Sequence, residues 1–204
     1  MCLGRANPVG IVTKSFLVVR DADVLLELHR RCAAHVLFSI PLADDAVARL
    51  IEPGAPSPRR RFEAMRRLHA AGVPVGLIIA PVIPGLGDRD IPALLARAAE
   101  CGAAQASFSP VRLPGSVGEV FLTRLRRALP DAAGRVEARI REMRGGRLNN
   151  PEFGRRMEAE GAYWDSVARL FETTATRLGL DGGQSWRQCG PAAKGTTPKQ
   201  LSLF

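Results

Sequence analysis

The chain has 204 residues, 46% hydrophobic and 24% charged, which suits one ordinary domain plus a tail and excludes wholesale disorder. No window approaches the roughly 18 consecutive apolar residues of a membrane span, and Met1 to Gly10 lack the charged start and apolar run of a secretory signal, so the expected compartment is the cytoplasm. The formal charge is +9, and all but Lys14, Lys194 and Lys199 of the 29 basic residues are arginine; the surplus suits phosphate or carboxylate partners and equally suits a GC-rich genome.

In chain order, short apolar runs alternate with amphipathic stretches up to about residue 110, the pattern of βα units around a parallel sheet. Val9 to Lys14 reads as the first strand, and Asp21 opens a helix through Arg31 with Val24, Leu25 and Leu28 on one face. His35 to Ile40 is the second strand. Ser57-Pro58 has the cap and first-turn chemistry of a helix through Ala71, which stops at Gly72 and leads by Pro74 into a third strand, Val75 to Ala80. Asp90-Ile91-Pro92 starts a helix to Cys101-Gly102, and Ala104 to Ser109 is the fourth strand. From Gly118 to Arg144 the chain reads as helix, interrupted at Pro130-Asp131, where a new N-cap is available. Gly161 to Leu178 is a last helix, with Trp164, Val167, Leu170 and Phe171 inward.

After Gly179 core-forming residues nearly vanish, so residues 181–199 read as a linker that cannot offset its own ordering entropy. The chain then ends in Gln200-Leu201-Ser202-Leu203-Phe204, whose three large apolar residues need a partner or a docking groove. Cys2, Cys32, Cys101 and Cys189 have no metal-ligand spacing; Cys32 and Cys101 read as small helix residues. His29, His35 and His69 likewise show no metal spacing and are expected at the surface or a strand edge.

Four parallel strands with almost no chain before the first make either a complete small sheet or the back half of a larger barrel. In barrel-type α/β folds ligands sit at the C-terminal strand ends. All four ends here carry ligand-type groups: Thr13-Lys14-Ser15, Ser39, the run Pro81 to Asp88, and Ser107, Ser109 and Arg112.

Several strings resemble the radical S-adenosylmethionine (radical SAM) proteins, in the DNA repair photolyase or spore photoproduct lyase-like branch. They are NPVGIVTKS (Asn7 to Ser15) followed by VVRD, the serine-bearing second strand, the long segment from Arg49 to Asp88, and RGGRLNNPEFGRRM (Arg144 to Met157). The resemblance implies an incomplete parallel (β/α) partial barrel over residues 1–117, a helical extension over 118–180, and the tail. It also implies S-adenosylmethionine and a 4Fe-4S cluster as cofactors, for radical cleavage of a cross-linked pyrimidine lesion in DNA. Members hold the cluster by a C-x3-C-x2-C loop after the first barrel strand. This chain lacks that loop, so a missing N-terminal half is expected, and the chain by itself is expected to be inactive.

Carried over residue by residue, the resemblance implies that Lys14, with Ser15 beside it, meets the methionyl carboxylate and that Ser39 bonds carboxylate or ribose. Pro84 and Gly85 belong to a loop lining the adenine, and Arg112 is a further candidate for carboxylate or substrate. Lys14 and Ser39 must then share one rim and avoid the surrounding helices. Clusters at Arg59-Arg60-Arg61, Arg66-Arg67, Arg124-Arg126-Arg127, Arg139-Arg141-Arg144-Arg147 and Arg155-Arg156 could track a phosphate backbone or simply be solvated helix faces. Gln200, Leu201, Leu203 and Phe204 resemble the peptide by which bacterial repair proteins bind the DNA sliding clamp, an extended segment with apolar anchors. The competing class is a non-catalytic clamp- and DNA-binding module or a truncated remnant.

Overall fold

A computed structural model describes residues 8–149 and 159–180. Its centre is a four-stranded parallel sheet in sequential order, β1 (Val9–Thr13), β2 (Ala34–Ser39), β3 (Val75–Val82) and β4 (Ala103–Pro110). The helices are α1 (Ala22–Cys32), α2 (Asp45–Ile51), α3 (Pro58–Ala70), α4 (Ile91–Glu100), α5 (Val117–Ala128), α6 (Pro130–Glu142) and α7 (Ala162–Arg177). This is the expected incomplete α/β partial barrel followed by helices.

Strand alternation divides the sheet into two unlike faces. Val36 and Phe38 on β2 and Leu77 and Ile79 on β3 are fully buried against Phe62, Met65 and Leu68 of α3 and Leu94 and Leu95 of α4. On β4, Phe108 stacks on Phe171 of α7 at 4.3 Å between centroids and tilts against Trp164 at 5.5 Å. The last helix therefore covers the fourth strand. Its far end caps the sheet edge too, since Ala106 N–H donates to Leu180 O at 2.8 Å. Among the described residues, nothing pairs with the outer edge of β1.

The opposite face has no helix on it among the described residues. Val12 there is 61% exposed. Large side chains from β2 and β4 lie sideways over glycines in their neighbours: a Cβ on Gly10 would meet the His35 ring at 2.9 Å, and one on Gly76 would meet Leu37 at 2.7 Å and Gln105 at 2.8 Å. Glycine is required at both places by close approach. The result is a low floor.

Several local expectations change. A 3₁₀ segment, Phe16–Asp21, precedes α1, so Asp21 ends one element and makes no side-chain cap for the next. Val24 is exposed, whereas Leu25 and Leu28 are buried. Helix α2 has no counterpart in the sequence reading; its Asp44 cap accepts from Ala46 N–H at 2.7 Å and Val47 N–H at 2.9 Å, but seven residues are too few to show a period. Helix α6 starts with Leu129 as N-cap and Pro130 in its first turn, with Asp131 inside the helix instead of capping it. On α7, Val167 and Phe171 are buried but Leu170 points outward. His35 lies on β2, an inner strand, not an edge. Residues 181–204, with the linker and the terminal peptide, and Arg155-Arg156 lie outside the described residues.

Candidate functional site at the C-terminal rim

Thr13 pairs with Phe38 across β1 and β2, which sets Lys14 and Ser39 side by side where the two strands end. They share one rim, and alternation assigns both to the uncovered face. Lys14 donates to Glu52 Oε1, and Arg61 donates to the other oxygen, Oε2, at 2.7 Å. Arg61 is the structural centre of the rim. Only 1% exposed, it also donates Nε to Pro56 O at 2.8 Å and Nη1 to Ser39 O at 2.8 Å, tying the loop after α2 to the end of β2.

The three charges differ in freedom. Side-chain exposure is 40% for Lys14, 14% for Glu52 and 1% for Arg61, so the guanidinium anchors the carboxylate while the ammonium faces solvent. Burial pushes the Glu52 carboxyl up, but hydrogen bonds from Lys14 and Arg61, with their charges, outweigh it and hold Glu52 below the ordinary glutamate range. The carboxylate is therefore ionised at neutral pH.

Ser39 Oγ donates its proton to Ala80 O at 2.9 Å across β3. It remains an acceptor, which suits a sugar hydroxyl and does not suit a carboxylate. Ser15 acts locally, since its Oγ accepts Leu17 N–H at 3.1 Å and caps the 3₁₀ segment.

The loop after β3 is held from behind. Pro84 is buried, and Gly85, at φ +75°, donates its N–H to Tyr163 Oη at 2.9 Å and accepts from Arg135 Nε at 3.2 Å. Tyr163 Oη donates in turn to Asp88 Oδ2, and burial followed by this carboxylate raises the phenol well above its ordinary range. What approaches the Gly85 main chain is thus an arginine of α6 and a tyrosine of α7. The helical extension shapes this rim segment. Arg112 lies near Arg144, whose guanidinium donates to Val111 O at 3.0 Å and is pushed down by burial and by the Arg112 charge.

The arginine clusters divide by environment. Arg61 and Arg144 are buried, so neither belongs to a solvated or phosphate-tracking face. Arg66 and Arg67 pair with Glu63, Arg126 and Arg141 with Glu137, and Arg139 with Glu142. Sequence reasoning missed Glu52 and the anchoring role of Arg61. The only signal for Glu52 was the acid itself, placed just before Pro53-Gly54.

Among the described residues, no group of three His, Cys, Asp or Glu side chains can hold a metal ion, and Cys32 and Cys101 are both buried. The described residues do not fit an iron-sulfur cluster. They do fit an anionic, hydroxyl-bearing ligand: Lys14 gives one donor to Glu52 and retains others, and Ser39 retains acceptor capacity. A cavity of about 530 Å³ between α5 and α6 is lined by Leu113, Leu122 and Leu148 and involves none of these rim residues.

Residues 3–98 match the model of the Radical SAM superfamily. The match covers a little under half of the chain. Uncharacterized protein Rv2578c of Mycobacterium tuberculosis (strain ATCC 25618 / H37Rv) is 31% identical over 131 residues, 63% of this chain and 38% of the relative. Uncharacterized protein ORF301 of Acidianus two-tailed virus is 38% identical over 86 residues, 40% of this chain and 28% of the relative. Spore photoproduct lyase complexed with dinucleoside spore photoproduct has the same fold over 84% of this chain and 47% of that one, with 22% identity and a TM-score of 0.52. A spore photoproduct lyase with bound AdoMet and dinucleoside spore photoproduct matches with the same TM-score, 0.52. The chain spans less than half the length of these relatives. No helix among its described residues is long and apolar enough to cross a membrane.

Proposed function

We propose that this chain is the C-terminal part of a radical SAM, DNA repair photolyase-like lyase, and that its rim binds S-adenosylmethionine for radical chemistry on a DNA pyrimidine lesion. The observation that carries the reading is the adjacency of Lys14 and Ser39 at the ends of β1 and β2, on the uncovered face. On one-electron reduction by a cluster held outside this chain, bound S-adenosylmethionine would supply a 5′-deoxyadenosyl radical as hydrogen abstractor, with methionine as the leaving group. This chain's own contribution is to hold it: Lys14 donates to the carboxylate, and Ser39 accepts from a ribose hydroxyl. The loop at Pro84-Gly85, braced by Tyr163 and Arg135, offers a fixed wall beside them.

The cluster thiolates come, on this reading, from residues outside this sequence, on a segment that covers the open face and the free edge of β1. Support comes from the exposure of Val12 and from the partial span of the relatives. Calorimetric titration with S-adenosylhomocysteine tests the ligand. Wild type binds saturably, and Lys14→Met weakens binding by at least tenfold. Absence of saturable binding rejects the rim as the site.

A second proposal concerns partners. Gln200-Leu201-Ser202-Leu203-Phe204 matches the sliding-clamp peptide at every position and follows a spacer poor in core residues. Wild-type chain should retain the clamp in a pull-down and Leu203→Ala, Phe204→Ala should not; equal recovery ends the idea. DNA binding through exposed arginines predicts that affinity falls steeply with salt, and a flat dependence removes it.

A further inference from the structure

We propose that Glu52 is a specificity-determining residue of this rim: it sets the local charge so that the site accepts one carboxylate and disfavours a phosphate dianion. The inference rests on the reading of the rim as the S-adenosyl ligand site and goes on to what that site selects.

Lys14 and Arg61 each contribute a positive charge and Glu52 a negative one, and Glu52 touches both through different oxygens. The cluster therefore carries a single net positive charge. A single ligand carboxylate placed on Lys14 neutralises it, whereas a phosphate dianion leaves an excess negative charge beside the Glu52 carboxylate in a partly desolvated place, where like charges repel most. Lysine alone is an unselective point charge that takes phosphate as readily as carboxylate.

The geometry makes the carboxylate a fixed part of the site. Arg61 is buried and committed to three acceptors, Pro56 O, Ser39 O and Glu52 Oε2, so Glu52 cannot swing away when a ligand arrives. Lys14, on a flexible stem and half in solvent, keeps donors for a second acceptor while still touching Glu52. Glu52 thus acts on the ligand through its charge and through the placement of the Lys14 ammonium.

The test compares two adenosine ligands, S-adenosylhomocysteine, whose amino acid end presents one carboxylate beside an ammonium, and adenosine 5′-monophosphate, which presents a phosphate dianion, titrated into the full chain at low salt; the deciding readout is the change in their affinity ratio between wild type and variant. Wild type should prefer the carboxylate ligand by at least tenfold. Glu52→Gln keeps the side-chain shape, raises the local charge by one, and should shift the preference toward the monophosphate by at least tenfold. A general loss of packing in the variant lowers both affinities together and leaves their ratio unmoved. An unchanged ratio overturns the role of Glu52 while the ligand site stands. Failure of both ligands to bind wild type overturns the site and this inference together.

Discussion

The two faces of the sheet were built for different neighbours. The helix-clad face is a finished core: Phe38, Leu77 and Ile79 are fully buried among α3, α4 and α7. The other face carries Gly10, Gly76, Ala80 and an exposed Val12, with His35, Leu37 and Gln105 laid flat across the glycines. One face turns its apolar surface to its own helices. The other keeps low relief and places its charges at the rim.

This contrast is most vulnerable at Arg61, which sits under the rim yet belongs to the buried side. Arg61→Met leaves Glu52 without its anchor and Ser39 O without its donor. Losing one partner of a buried pair costs about 3–5 kcal/mol, so the denaturant midpoint should fall sharply. A change within error would mean that the rim network is dispensable to the fold.

Adjacent residues on β3 give the next test. Leu77→Ala opens the helix-clad core and should cost about 2–5 kcal/mol. Ile78→Ala, one residue on and facing the other way, should cost only about 1 kcal/mol. Equal losses in urea unfolding would show that both faces are equally packed. Tyr163→Phe follows, removing the phenol that joins Gly85 to Asp88. It should cost about 1–3 kcal/mol and speed hydrogen exchange at the Gly85 amide.

The smallest stability effects are expected at the exposed side and in pH. Val12→Thr should change stability by no more than about 0.5 kcal/mol. Glu52 is held below the ordinary glutamate range, so its contribution is present above the unfolded-state value and is lost as pH falls through the lowered one. Acid unfolding followed by circular dichroism should therefore lose that part of its slope in Glu52→Gln, and identical curves would deny the ion pair any weight.

Much of the fold was legible in the sequence for physical reasons. All four strands were recognisable because strands of parallel sheets read as short apolar runs, here set between glycine and proline punctuation. Ser57 and Pro58 marked α3 because N-cap chemistry is local, and Ser57 Oγ does accept Arg60 N–H at 3.4 Å. Lys14 and Ser39 could be assigned to one rim because in-register parallel strands end together. Glu52 could not, because it follows a short helix whose end returns to the rim only in three dimensions.

Sequence alone determined the alternation of strand and helix, the polar strand ends, the resemblance to radical SAM proteins and the absence of a readable cluster motif, because these depend on local spacing and residue chemistry. Tertiary structure decided which arginine was solvated and which was buried. It made Arg61 the anchor of Glu52, gave the Gly85 amide to Tyr163, and left one sheet face without a cover among the described residues. These outcomes depend on contacts between residues far apart in the chain, whose energies are fixed by burial and geometry that no local pattern records.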